Sequence, residues 1–390
     1  MTRRIGIIGG GQLGLMIAQE AHRLGAFVSA LDPSPDAPAF AETDSCIVAE
    51  YDDLKALEAL GDSTDVLTYE FENVPGDILR HLEGKYDIKQ GIAPLFDSQD
   101  RLREKNNARR HGLPTPDYIA VPECSADEDC ALVPVILTDE QRIEELTKAV
   151  GRIGFPCVLK TRRLGYDGHG QEVIKNADDI PAASALLKVP CVLEGFVDFD
   201  YESSVIMVRD GENIIHFPIG RNFHKGGILD LSVVPAEGMY EGENESDTGR
   251  KITAACEKFM TECGYLGILA IELFVKGDEF VFNEMAPRPH NSGHYTIEGC
   301  TTNQYRELVR FLLGEPLNKP HLIAPTVMKN ILGQDLEAAR EISGKGVFVH
   351  IYGKTESRPK RKMGHITFVP CTLEQYRENW AGKFIYGNDY

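Results

Sequence analysis

The stretch NEMAPRPHNSGHYTIEGC, Asn283 to Cys300, holds the densest chemistry in the chain. An amide and a carboxylate, Asn283 and Glu284, end the apolar run FVF, which reads as a strand. Arg288 then stands between two prolines, followed by His290, the turn residues Asn291 and Ser292, His294 and an amphipathic segment. A metal-type carboxylate and several anion-binding groups therefore share one short loop, the arrangement that a site for charged small molecules requires.

Upstream, Glu272 in AIELFV and Glu284 in FVFNEM lie on two strand-like runs joined by the tight turn KGDE. If the runs pair as a hairpin, the two carboxylates come close on one face. Hard oxygen ligands of this kind, with Asn283 beside them, suit Mg²⁺ holding nucleotide phosphates. Further upstream, VLEGFVDFDYESSV places Glu194 at a strand end, able to accept from the amino group of an adenine, and Glu202 within reach of ribose hydroxyls. Before that, KTRRLGYDGHGQ (Lys160 to Gln171) sets a lysine at a strand end ahead of Gly165, Gly168 and Gly170. Glycines let backbone N–H groups approach phosphate oxygens closely, and the lysine adds positive charge. No Gly-Lys-Ser/Thr closes the loop, so it is not a Walker-type loop. Each segment alone reads as an ordinary turn or surface; their order is the signal.

The N-terminus reads as strand, glycine turn and helix: RIGIIGG, then Leu13, Met16, Ile17, Ala21 and Leu24 at helical spacing. Gly9, Gly11 and Gly14, with Asp32 following, match a dinucleotide-binding fingerprint, so an NAD-dependent oxidoreductase is one alternative. Nothing downstream resembles a hydride-transfer site. Alternating strands and helices imply a parallel doubly wound sheet here, and mixed α+β structure after it. The later runs GVFVHIYGK and GHITFV read as a hairpin.

A net charge of −19 argues against a nucleic-acid partner but permits a small anion held by locally concentrated bases. SRPKRKMGH near the C-terminus is such a concentration, although a solvated face is its simplest reading. No apolar run is long enough to span a bilayer and no secretory leader is visible, so a cytoplasmic protein with reduced cysteines is expected.

Taken together, IGIIGGGQLG, LDPSPDAPA, YEFENVP, DRLREK, LKTRRLGYDGHGQ, NEMAPRPHNSGHYTIEGC and RPKRKMGHITF resemble the ATP-grasp ligases, and within them the N5-carboxyaminoimidazole ribonucleotide synthases of purine biosynthesis. The resemblance runs nearly end to end. It implies a Rossmann-like N-terminal domain (1–105), an ATP-grasp domain (106–318, with a lid at about 150–200) and a small β-rich C-terminal domain (319–390).

It also implies ATP contacts from Arg101, Lys160, the loop Gly165, Tyr166, Asp167, Gly168, His169, Gly170 and Gln171, from Glu194, Gly195, Phe196 and Val197, and from Glu202, His224, Asn283 and Glu284. Mg²⁺ or Mn²⁺ would sit on Glu272 and Glu284. The ribonucleotide would be held by Tyr166, Asp167, Arg288, His290, Asn291, Ser292, His294, Lys354 and Arg361, with Gly11, Gln12 and Glu70 nearby. Lys160, Arg288 and Asp167 would be catalytic. Leu164 stands where the family pattern has glycine, and His169 where it has a lysine or arginine.

The implied reaction joins ATP, bicarbonate and 5-aminoimidazole ribonucleotide to give the N5-carboxylate, ADP and phosphate through carboxyphosphate. A homodimer is implied as well. Another ATP-grasp purine ligase, such as a formate-dependent glycinamide ribonucleotide transformylase, is the nearest alternative.

Overall fold

The structure is a computed structural model, and residues 2–124, 135–165, 170–242 and 244–384 are described. Four short parallel strands come first: β1 (Arg4–Ile8), β2 (Phe27–Asp32), β3 (Ser45–Val48) and β4 (Val66–Tyr69), in spatial order β3-β2-β1-β4. The helix Gln12–Arg23 follows β1 because Leu13, Met16, Ile17 and Ala21 recur on one face, and that face is buried. These residues share one hydrophobic core with Ile206, Ile268 and Leu308 of the later chain, so the first unit is packed onto the rest.

A four-stranded antiparallel sheet comes next, built from β5 (Tyr118–Val121), β6 (Cys157–Thr161), β7 (Gln171–Ile174) and β8 (Cys191–Gly195), in the order β5-β8-β6-β7. The helix Asp139–Ile153 covers it, started by a capping box between Thr138 and Gln141, with Leu146, Ala149 and Val150 turned inward. The buried guanidinium of Arg162 forks onto Asp100, Nε to Oδ1 at 3.0 Å and Nη2 to Oδ2 at 2.7 Å. Asp100 also caps the helix Arg101–Arg110, so one ion pair fixes that helix against the end of β6.

The largest sheet has nine strands: β9 (Tyr201–Arg209), β10 (Ile214–His216), β11 (Gly220–Lys225), β12 (Ile228–Val234), β15 (Gly267–Lys276), β16 (Glu279–Ala286), β17 (Thr326–Leu332), β18 (Val347–Ile351) and β19 (Lys362–Phe368). A small ribbon, β13 (Tyr240–Glu241) with β14 (Asn244–Glu245), stands apart from it. The order is β16-β15-β9-β11-β12-β17-β19-β18, with β10 beside β9. Phe259, Ile271 and Phe282 are fully buried between β15, β16 and the helix Asp247–Glu262; each contributes about 1.5–3 kcal/mol by leaving water.

The expected C-terminal hairpin forms as β18 and β19, but its strands do not make a separate sheet. Every residue of β17 is buried, and β17 pairs with β12 on one side and β19 on the other. The C-terminal strands therefore extend the central sheet and bring their basic loop beside it. Among the described residues, no helix is long and apolar enough to cross a membrane.

Candidate active site

A cleft of roughly 870 Å³ opens where the three regions meet, and Gly11, Glu70, Lys160, Glu272, Glu284 and Arg288 all line it. The hairpin turn KGDE does what its sequence suggested: β15 and β16 pair antiparallel, and Glu272 and Glu284 are direct cross-strand partners. A register shift follows immediately between Glu272 and Leu273. Burial, then the charge of Glu284, push the Glu272 carboxyl up to about 7. Glu284 is only part-buried, its side chain 39% exposed, and Arg101, 2.9 Å from its Oε2, and then Lys160 outweigh the cost of desolvation and hold it at about 2. Asn283 donates to Glu272 Oε2 at 3.4 Å, and His290 Nε2 lies 3.5 Å from Glu272 Oε1. Two carboxylates on neighbouring strands, one of them pushed toward its neutral form by burial and then by the charge of the other, match the donor set of a hard divalent cation.

At the end of the cleft toward the small sheet, the Lys160 ammonium lies 3.0 Å from Glu194 Oε2 and 3.5 Å from Asn283 Oδ1. His224 Nδ1 lies 3.1 Å from Glu202 Oε1. Burial lowers the His224 pKa, but Glu202 and Glu272 outweigh it and raise the imidazole above its usual range. Phe196 lines this end of the cleft, as do Phe199 and Phe274, whose rings stack 4.6 Å apart. The N–H groups of Gly195 and Phe196 donate to the carbonyls of Asp117 and Pro156, at 2.8 and 3.1 Å. Gly165, Gly170 and Gln171 bound the glycine loop; Tyr166, Asp167, Gly168 and His169 lie outside the described residues. Leu164 has φ +61° and is 71% exposed at the rim.

At the opposite end, Arg288 Nε pairs with Glu72 Oε1 at 3.0 Å. His290 contacts Ser292 Oγ through Nδ1 at 2.7 Å, and burial followed by the Arg288 charge lowers its imidazole to about 3. Asn291 also lines the cleft. His294 does not: it is fully buried, its Nδ1 2.8 Å from the Tyr305 hydroxyl and its ring stacked on His365, which makes it a wall behind the site. Lys354 donates to the Lys362 carbonyl at 2.9 Å and Arg361 to the Glu356 carbonyl at 2.6 Å; the basic side of the cleft here is Lys362.

The glycine fingerprint is occupied by the protein itself. Gly11 N donates to Glu70 Oε1 at 2.6 Å and Gly10 N to Asp32 Oδ2 at 2.8 Å, while the Tyr51 hydroxyl donates to Asp32. A Cβ on Gly9 or Gly11 would meet Glu70 at 2.6 or 2.7 Å. Two carboxylates thus fill the helix N-terminus where a dinucleotide would place its pyrophosphate, which removes the oxidoreductase alternative. Gly11, Gln12 and Glu70 still border the cleft.

Glu72, Lys105 and Lys362 escaped the sequence reading. Glu72 and Lys362 sit inside quoted motifs, YEFENVP and RPKRKMGHITF, but only the fold shows which member faces inward.

Residues 107–305 match the ATP-grasp domain family, 1–94 the ribonucleotide synthetase preATP-grasp domain, and 326–379 the phosphoribosylaminoimidazole carboxylase C-terminal domain. The N5-carboxyaminoimidazole ribonucleotide synthase of Bacillus subtilis is 39% identical over 387 residues, 98% of this chain and 95% of the relative. The crystal structure of the Staphylococcus aureus N5-carboxyaminoimidazole synthetase complexed with ADP superposes with a TM-score of 0.87 at 35% identity, covering 98% of both chains. That of the Aspergillus clavatus synthase with ADP and the aminoimidazole ribonucleotide gives 0.84 at 27% identity, covering 100% of this chain and 99% of the other. With matches that cover nearly the whole of both chains, the chain belongs to the N5-carboxyaminoimidazole ribonucleotide synthases, a family of ATP-grasp ligases.

Proposed function

We propose that this chain uses ATP and bicarbonate to carboxylate the amine of 5-aminoimidazole ribonucleotide, releasing ADP and phosphate. The observation that carries the reading is the placement of the Glu272–Glu284 pair between Lys160 on one side and Arg288 on the other, in one cleft. Glu194 accepts from the adenine amino group, Glu202 from the ribose, and Lys160 and Arg101 neutralise phosphate charge. Glu272 and Glu284 would hold Mg²⁺, which supplies charge neutralisation at the transferring phosphoryl group.

Bicarbonate is a poor electrophile because its leaving group would be hydroxide. Phosphorylation turns that leaving group into phosphate. Arg288, steered by Glu72, offers a planar fork to the bicarbonate, and His290, kept neutral, adds no competing charge. Carboxyphosphate formed there must meet the amine before water does, which gives the loop at Gly165–Gln171 a lid function. Lys362 approaches the ribonucleotide from the C-terminal hairpin, with Lys354 and Arg361 on its outer side. A homodimer in the cytoplasm belongs to the same reading.

The test is phosphate release from Mg·ATP with labelled bicarbonate, with and without the aminoimidazole ribonucleotide. Label transferred to the ribonucleotide amine is the expected result. ATP turnover with formate and glycinamide ribonucleotide, and none with this pair, would overturn it.

A further inference from the structure

Lys105, on the helix Arg101–Arg110, is fully buried and joins three parts of the chain. Its ammonium lies 3.3 Å from Glu194 Oε1 on β8 and donates to the Asn283 carbonyl on β16 at 2.9 Å, above the Phe282 ring. Lys160 takes the other Glu194 oxygen, Oε2, at 3.0 Å. Each oxygen of one buried carboxylate is therefore held by a separate lysine.

The two lysines are not equivalent. Lys160 lines the cleft, whereas Lys105 lies behind Glu194 with no exposed surface. When nucleotide phosphates draw Lys160 away, Glu194 loses one of its two cations. A buried carboxylate left with none would take up a proton instead of staying charged. The other groups facing Glu194 do not replace the missing charge: Arg101 is paired with Glu284, and Tyr118, the cross-strand partner on β5, is neutral. Glu104, beside Lys105, is itself an acid, and its Oε2 accepts from Met285 N.

We propose that Lys105 is a positioning residue for adenine recognition: it keeps Glu194 charged and aimed at the nucleotide while Lys160 exchanges Glu194 for phosphate. A charged Glu194 accepts from the adenine 6-amino group. A protonated Glu194 presents a donor, which favours a base carrying a carbonyl at that position, such as hypoxanthine. This inference rests on the placement of the adenine against Glu194 and of the phosphates against Lys160.

The experiment compares wild type, Lys105→Met, Lys105→Arg and Glu194→Gln in the full chain. Calorimetric titration with ATP in two buffers of different ionisation enthalpy counts protons, while KM and kcat for ATP and ITP are followed from about pH 6 to about pH 9. In K105M, ATP binding takes up about one proton more than in wild type, and KM for ATP rises by about tenfold or more, increasingly so at high pH. The ATP-over-ITP preference falls by a similar factor, while kcat changes much less. K105R retains the preference and the wild-type proton count.

A folded K105M with wild-type proton count and base preference would reduce Lys105 to a structural residue and overturn the inference. If K105M does not fold, a folded K105R that loses the adenine preference overturns it as well. E194Q that discriminates ATP from ITP as wild type does would instead remove the placement of the adenine, and this inference with it.

Discussion

Glu272 and Glu284 face each other across the β15–β16 ladder, yet their acidities are driven apart, to about 7 and about 2. Arg101 accounts for the asymmetry: it sits 2.9 Å from Glu284 and leaves Glu272 to carry the cost of burial beside a like charge. Only one of the pair is therefore fully charged at neutral pH without a cation.

A metal-linked proton follows from that difference. The folded-state pKa of Glu272 is raised above its ordinary 4.5, so its contribution to stability is fully present below 4.5 and is lost as pH climbs through about 7. A divalent cation must displace the proton below that point. We expect Mg²⁺ with ADP to raise Tm more at about pH 8 than at about pH 6, with proton release on binding at the lower pH. Equal shifts at both values, with no proton released, would count against metal binding at this pair. Glu284→Gln should leave ATP turnover near background.

Arg288 divides its guanidinium between Glu72 and the cleft, which a lysine cannot do with one point charge. Arg288→Lys should lower kcat/KM for bicarbonate by about a hundredfold while KM for ATP changes little. Bicarbonate-dependent turnover of R288K within a few-fold of wild type would remove Arg288 from the anion site.

Lys362 is the base that the C-terminal hairpin presents to the cleft. Lys362→Ala should raise KM for the ribonucleotide by about tenfold, with ATP binding unchanged. If Lys354→Ala or Arg361→Ala has the larger effect, the hairpin must rearrange around the ribonucleotide.

What the sequence disclosed depended on how local the determining contacts are. The Glu272–Glu284 pair was legible because a tight turn fixes the register of a two-stranded hairpin. Lys105 was not: within DRLREKNNARR it is one cation among several, and its burial depends on β8 and β16, far away in the chain. The fingerprint at Gly9–Gly14 was read accurately as strand, turn and helix. Its ligand was not, since Glu70 and Asp32 arrive from the ends of other strands. The runs GVFVHIYGK and GHITFV announced a hairpin, and nothing in them announced β17 as the partner of β19.

Leu164 gives the clearest test of that reading at the level of the backbone. The family pattern called for glycine there, and the structure holds the leucine at φ +61°, where its Cβ is crowded by the chain. The side chain offers little in return, being 71% exposed. Leu164→Gly removes about 1–2 kcal/mol of left-handed strain and adds about 0.5–1 kcal/mol of unfolded-chain entropy, so the net effect runs from none to a gain of about 1.5 kcal/mol. Tm of the folded protein should rise or stay level, and Leu164→Val should lower it, because a β-branched residue tolerates this conformation worst. The functional counterpart is lid closure: if it uses the same backbone conformation, L164G keeps KM for ATP within about twofold of wild type. A clear fall in Tm with L164G would mean that the leucine contributes packing that outweighs its strain, and a large rise in KM would mean that its side chain meets the nucleotide.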